Sequence, residues 1–226
     1  MDRILVVAAH PDDETLGCGG ALLKYLENGS VARILIIGEG STCRFLDPKS
    51  KEAQDAIDVR RRNAFAALDV LGIRDVNFFN VPCGRFDQFP LIEINKVIEQ
   101  EIAAFKPTIV FTHSEVDANR DHQITYQATI IATRPDVSDS IKMVASYEIP
   151  SSTEWAFSDA FSPNFFISLE ERHIVTKWRA LEHYGDEMRR YPFPRSEEGI
   201  KTLSKYRGMQ TGKQFAEAFK IIRCMG

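Results

Sequence analysis

The sequence predicts an α/β fold: one Rossmann-like open sheet, mostly parallel, with helices on both faces. Three observations predict it. Short β-branched apolar runs alternate with longer amphipathic stretches of helical spacing from the N-terminus onward. The first run, "RILVVAA", is apolar without alternation, as a strand covered on both faces requires. A chain of 226 residues at 44% hydrophobic composition is long enough for one sizeable core, and no linker-like stretch divides it. Residues 1–226 are therefore expected to form a single domain.

In order along the chain, "LGCGGALLKYLENG" follows the first strand as a helix, with Leu16, Leu22, Leu23 and Leu26 on one side and Asn28-Gly29 as its stop. Its glycines suit close packing of helix on sheet better than a dinucleotide loop, because "GCGG" lacks the GxGxxG spacing. "VARILIIG" is the second strand, and residues 52–71 form the second helix, closed by Gly72. "DVNFFNV" is a third strand, "LIEINKVIEQEIAAF" a third helix and "PTIVFTH" a fourth strand. This βαβαβαβ order calls for parallel pairing with right-handed crossovers. Further on, "ITYQATIIATR" is read as a helix, "KMVASYEI" and "PNFFISL" as strands, and residues 170–190 as one long amphipathic helix. The tail adds helical and strand-like pieces to the same domain.

Composition excludes several partners. The net charge of −4 gives no basic field for nucleic acid or anionic lipid, so a small diffusible substrate is the better match. No apolar segment is long enough for a membrane span, and the N-terminus lacks the apolar core of a signal peptide. A cytoplasmic chain is expected, and its four scattered cysteines read as free thiols.

Two polar clusters interrupt the pattern, and both follow strands. "HPDDET" comes directly after the first strand, and "THSEVDANRDH" ends the fourth. In a parallel sheet ligands gather outside the carboxyl ends of the strands, so the clusters share one rim if those strands are neighbours. His10 and Asp13, joined by His122, make two imidazoles and one carboxylate, a set that leaves a position open on a four-coordinate Zn²⁺. Asp12, beside the ligand acid, is placed to take a proton from water at such a centre. Glu14 and Thr15 are expected to serve the helix start, and Asp121 to cap the helix beginning near His122. Arg60, Arg61 and Arg62 cannot all face a ligand, because successive helical residues diverge by about 100°. "STEWAF" is assigned to core packing, and His173 and His183 to structural roles.

"AAHPDDETLGCGG" together with "DANRDH" resembles the zinc-dependent de-N-acetylases of the PIG-L, or LmbE-like, family. The similarity continues through "RRRNAFAALDVLGI", "YEIPSSTEW" and the terminal "RG" and "AEAF" elements. It implies His10, Asp13 and His122 as ligands of Zn²⁺, with Fe²⁺ as the other metal to consider, Asp12 as general base, and Arg60 as a substrate contact. It further implies N-acetylglucosamine-type sugars or their conjugates as substrates, and self-association. Several branches of the family carry a histidine where this chain has Asn119. An amide can donate a hydrogen bond to an oxyanion but cannot donate a proton. The acid role would then fall to Asp12 or to His113, at the substrate, with Asp121 orienting the groups around it. Two other readings share the ligand set: a non-haem Fe(II) oxygenase, and a non-catalytic sugar- or nucleotide-binding module.

Overall fold

In a computed structural model, which describes residues 1–225, the chain builds one seven-stranded sheet in the order β3-β2-β1-β4-β5-β7-β6. The strands are β1 (Arg3–Ala8), β2 (Val31–Gly38), β3 (Val76–Val81), β4 (Ile109–Thr112), β5 (Met143–Tyr147), β6 (Phe165–Leu169) and β7 (Phe215–Cys224). β1 to β5 pair in parallel; β7 runs antiparallel between β5 and β6. The neighbourhood of β1 and β4, on which the shared rim depended, is present, with Ile4 opposite Ile109 and Val6 opposite Phe111.

Alternation along each buried strand divides the core in two. Ile4, Val6 and Ala8 face the layer made by α1 (Asp13–Glu27), α2 (Lys51–Val70), α5 (Glu171–Glu182) and α6 (Glu197–Met209). Leu5, Val7 and Ala9 face α3 (Leu91–Phe105) and α4 (Arg120–Ala132). All six residues are fully buried, which is why the run shows no polar alternation. The glycines of α1 act as the sequence suggested. A Cβ on Gly17 would meet the Tyr147 ring at 2.3 Å and one on Gly20 would meet Leu169 at 2.6 Å, so only hydrogen fits between helix and sheet.

α1 breaks at Cys18, whose φ of −144° and ψ of 15° are not helical. The backbone groups freed there are met from a distant element. The Glu217 carboxylate of β7 accepts the amides of Gly20 and Ala21 at 3.0 and 2.6 Å, while Lys177 Nζ donates to Leu16 O and to Glu217 at 2.7 and 2.6 Å. A buried ion pair thus caps both sides of the break.

Four expectations need correction. The helix after β1 begins at Asp13, not Leu16, so the acids belong to its first turn. Residues 170–190 are not one helix: α5 ends at Glu182, and the chain turns at Gly185 to bring Tyr184 and Glu187 toward the rim. The cap of α4 is Asn119, whose Oδ1 accepts from the Asp121 amide at 2.9 Å; Asp121 is spent elsewhere. Trp155 and Phe157 are exposed, because Ser152 and Thr153 turn inward to bond Asp117 and leave the following aromatics outside. Among the described residues no helix is long and apolar enough to cross a membrane.

Candidate metal centre and active site

The loops leaving the carboxyl ends of β1 to β5 converge at one rim, and His10, Asp13 and His122 meet there, all nearly buried. Asp13 Oδ2 lies 3.5 Å from His10 Nδ1 and 3.4 Å from His122 Nε2, and one donor atom from each residue falls within 4.8 Å of the others. The remaining nitrogen of each ring is turned to a second carboxylate. His10 Nε2 is 2.9 Å from Asp121 Oδ2, and His122 Nδ1 is 3.2 Å from Asp117 Oδ1. Such partners keep a proton on the outer nitrogen and leave the inner one free to ligate. The second carboxylates are themselves pinned. Asp121 accepts the Gly84 amide at 2.6 Å and that of Phe86 at 3.3 Å; Asp117 accepts the Ser152 and Thr153 hydroxyls at 2.5 and 2.7 Å.

The electrostatics of the cluster call for positive charge. Burial opposes an imidazolium at His10, but bonds to Asp121 and Asp13 outweigh it and raise its pKa to about 9. At His122 burial is likewise overcome, chiefly by the Asp13 charge and the bond to Asp117, giving about 10. Burial would raise Asp13, yet the surrounding histidines hold its carboxyl well below the usual range. Protons on the two rings thus do what a divalent cation would do, and the donor set fits one.

Asp12 closes the turn before α1 at φ 118°, a left-handed conformation rare outside glycine. Its Oδ2 accepts from Arg60 Nη2 at 2.8 Å and from Arg195 Nη1 at 3.0 Å, and among the described residues Oδ1 has no recorded partner. Burial raises its pKa against the opposing pull of the two guanidinium groups. Glu14, at the helix start as expected, accepts the Asp12 amide at 3.1 Å and the hydroxyls of Thr15 and Tyr184 at 2.7 and 3.0 Å; burial lifts it to about 7.

Two residues sit differently from the sequence reading, and a third, Asn119, takes on a cap through its oxygen that leaves its amide NH2 uncommitted among the described residues. Arg60 is 7% exposed and occupied by Asp12 and by Glu187, at 2.7 Å, so it holds the carboxylate instead of reaching into open space. His113, expected at the substrate, is completely buried behind Asp13, stacked on His122 with ring centroids 4.1 Å apart. Its Nε2 accepts the Ala9 amide at 2.8 Å, and burial followed by the His122 charge lowers its pKa to about 3, so the ring is neutral and carries its one proton on Nδ1, not on Nε2. Asn119 is half-buried, with its amide oxygen committed to capping α4. Arg195, Tyr184 and Glu187 were not singled out; Asp117 was visible as part of the polar cluster after the fourth strand, without a role of its own. Asp117 lay in a conspicuous acidic loop, whereas Arg195 is marked only by its neighbouring prolines.

Fold and site together define a class: a mostly parallel-sheet protein with a two-histidine, one-carboxylate set that could hold a cation and a further carboxylate beside it at the rim. A family model described as "PIG-L: GlcNAc-PI de-N-acetylase" matches residues 5–133, more than half of the chain, which therefore belongs to that family. The chain is 27% identical to the uncharacterized deacetylase YaiS of Escherichia coli over 80% of its own length and 89% of the relative's. It superposes on the N,N'-diacetylchitobiose deacetylase of Pyrococcus horikoshii with a TM-score of 0.79 at 18% identity, covering 98% of this chain and 84% of the other. The 4-carboxy-2-hydroxymuconate hydratase GalB of Pseudomonas putida shares the fold at a TM-score of 0.74 and 21% identity, covering 100% and 98%. The reaction must accordingly be argued from the site and not from the fold.

Proposed function

We propose that the protein is a metal-dependent N-deacetylase that hydrolyses the acetamide of an N-acetylated sugar or sugar conjugate. The observation that carries this reading is Asp12: a buried carboxylate adjacent to the ligand acid, held in a left-handed backbone, with one oxygen fixed by two arginines and the other bonded to none of the described residues. A pure binding module has no use for it. The deacetylase relatives supply the class of bond, and sugar substrates are carried over from relatives such as the diacetylchitobiose enzyme. An Fe(II) oxygenase loses its support, since the structural neighbours of this open sheet include hydrolases with no sign of the barrel that such centres favour.

His10, Asp13 and His122 would hold Zn²⁺ or Fe²⁺. A bound divalent ion supplies Lewis acidity and brings the pKa of water to about 7. Asp12 Oδ1 takes the proton from the attacking water, while Arg60 and Arg195 keep the carboxylate aimed and stabilise its charged form. Because His113 is protonless at Nε2 and Asn119 carries no acidic group, the proton for the departing amine returns from Asp12. Asp121 and Asp117 hold the two imidazoles at the tautomer that ligation needs.

The test is acetate release from a panel of N-acetylglucosamine conjugates by protein loaded with Zn²⁺ or with Fe²⁺, in parallel with metal analysis. Release of acetate with an equal yield of free amine supports the reading. A metal-loaded protein that releases none from any conjugate sinks it.

A further inference from the structure

Two of the four cysteines, distant in sequence, meet beside this rim. Cys43 lies in the turn after β2 and is exposed; Cys83 follows β3 and is buried. Their Sγ atoms are 2.8 Å apart. A bond of ~2.05 Å requires a further approach of ~0.75 Å. Gly84, at φ 71°, keeps the space between the loops clear, for a Cβ there would stand 3.3 Å from the Cys43 Cβ.

We propose that Cys43 and Cys83 form a reversible dithiol–disulfide site whose oxidant is a hydroperoxide. The exposed partner reacts first. The Cys43 thiolate attacks one peroxide oxygen, the O–O bond breaks, and Cys43 becomes a sulfenic acid; the other oxygen departs as hydroxide or alkoxide and takes up the proton that the thiol had released to solvent, leaving as water or an alcohol. The buried thiol resolves it: Cys83 sulfur attacks the Cys43 sulfur, the S–O bond breaks, and the hydroxide takes the Cys83 proton away as water. Two thiols are oxidised by two electrons in total, the peroxide is reduced by the same two, and a dithiol reductant reverses the change. The asymmetry of the pair agrees with this order. The hydrogen bond from Cys83, helped by Arg44, holds the Cys43 thiol below the usual range, and that bond together with burial pushes Cys83 up.

The bond would tie the loop after β2 to the loop after β3, which reaches the metal centre. The Cys83 amide donates to Glu39 Oε1 at 2.7 Å, and the next residue, Gly84, donates to Asp121, the carboxylate behind His10. The Cys83 sulfur also lies within 4.8 Å of donor atoms of His10 and Asp121, so oxidation would change a group beside the centre.

The test treats the reduced full-length protein with a small molar excess of hydrogen peroxide, then counts thiols under denaturing conditions and maps the peptides. The four thiols should fall to two, with a linked peptide containing residues 43 and 83, and with Cys18 and Cys224 still free to alkylate. Dithiothreitol should restore all four. Cys83→Ser should stop at a Cys43 sulfenic acid that a cyclic diketone traps, and Cys43→Ser, at an exposed position, should form no intramolecular link. Retention of four thiols, a link between molecules through Cys224, or a two-thiol loss that persists in Cys43→Ser would each overturn the proposal.

Discussion

At Asp12 the backbone stores strain that the surroundings must hold. A non-glycine residue in the left-handed region costs of order 1–3 kcal/mol; here the Asp12 carbonyl accepts the amides of Thr15 and Leu16, Glu14 accepts its amide, and two arginines take its carboxylate. Asp12→Asn should keep the metal and lower kcat by ~10²–10⁴, whereas His122→Ala should lose the metal itself; turnover and metal content measured on the same samples separate the two. Arg195→Met should retain metal but lower kcat, and it should move the acid limb of the pH–rate profile to higher pH, since removing a cation raises the Asp12 pKa. A profile that kept its acid limb in place would show that Arg195 does not act through Asp12. The metal-free protein has its own pH dependence. His10 and His122 are raised from 6.5 to about 9 and about 10, so their contribution to stability is complete below pH 6.5 and lost as pH rises through those values. Glu14, raised from 4.5 to about 7, acts in the same direction, its contribution being lost as pH rises from 4.5 through 7. Urea midpoints of metal-free protein should therefore fall between pH 6.5 and 10. Metal-loaded protein, in which the ligating rings are already neutral, should lack the fall due to the histidines.

Among the elements, α1 shows how a weak motif becomes legible only in three dimensions. The "AEAF" segment lies in β7; its Glu217 caps the break at Cys18 across nearly two hundred positions of sequence, and Lys177 completes the cap. Glu217→Ala would leave two amides without partners and a buried lysine with its charge unpaired and only the Leu16 carbonyl to bond, and should cost ~3–5 kcal/mol in urea unfolding. Gly17→Ala drives a methyl group into the Tyr147 ring and should cost ~1–3 kcal/mol, with a near-surface alanine substitution such as Gly185→Ala as the neutral control. "YEIPSSTEW" and "RG" resolve in the same way: Glu148 takes a bidentate bond from Arg207 at 2.6 Å on both oxygens, which fastens α6 to the end of β5.

Over the whole molecule, the position of β7 makes the domain indivisible. The last strand lies between β5 and β6, so the stretch matched by the family model, residues 5–133, contains the ligands but neither Tyr147 nor Arg195. A fragment ending at residue 133 would expose the β4 edge and leave His113 without the Tyr147 ring packed 5.1 Å from it. It should show no cooperative thermal transition and bind no stoichiometric metal, which circular dichroism and metal analysis can check. The rim itself belongs to this scale as well, because five parallel strands deliver their carboxyl ends to one place and only their loops need to carry chemistry.

The sequence by itself determined the alternation of strand and helix, the buried character of β1, and which residues gather at the candidate cation centre. Each of these is a local property: periodicity, composition, or residue types concentrated just after a strand. The tertiary structure decided what those residues do to one another. It assigned Asn119 to a helix cap, put His113 behind the centre as an acceptor, ended α5 early, and brought Arg195 to Asp12 from 183 positions away. The physical reason is that a hydrogen bond or ion pair between distant segments depends on where loops meet, and no periodic pattern along one segment records its partner.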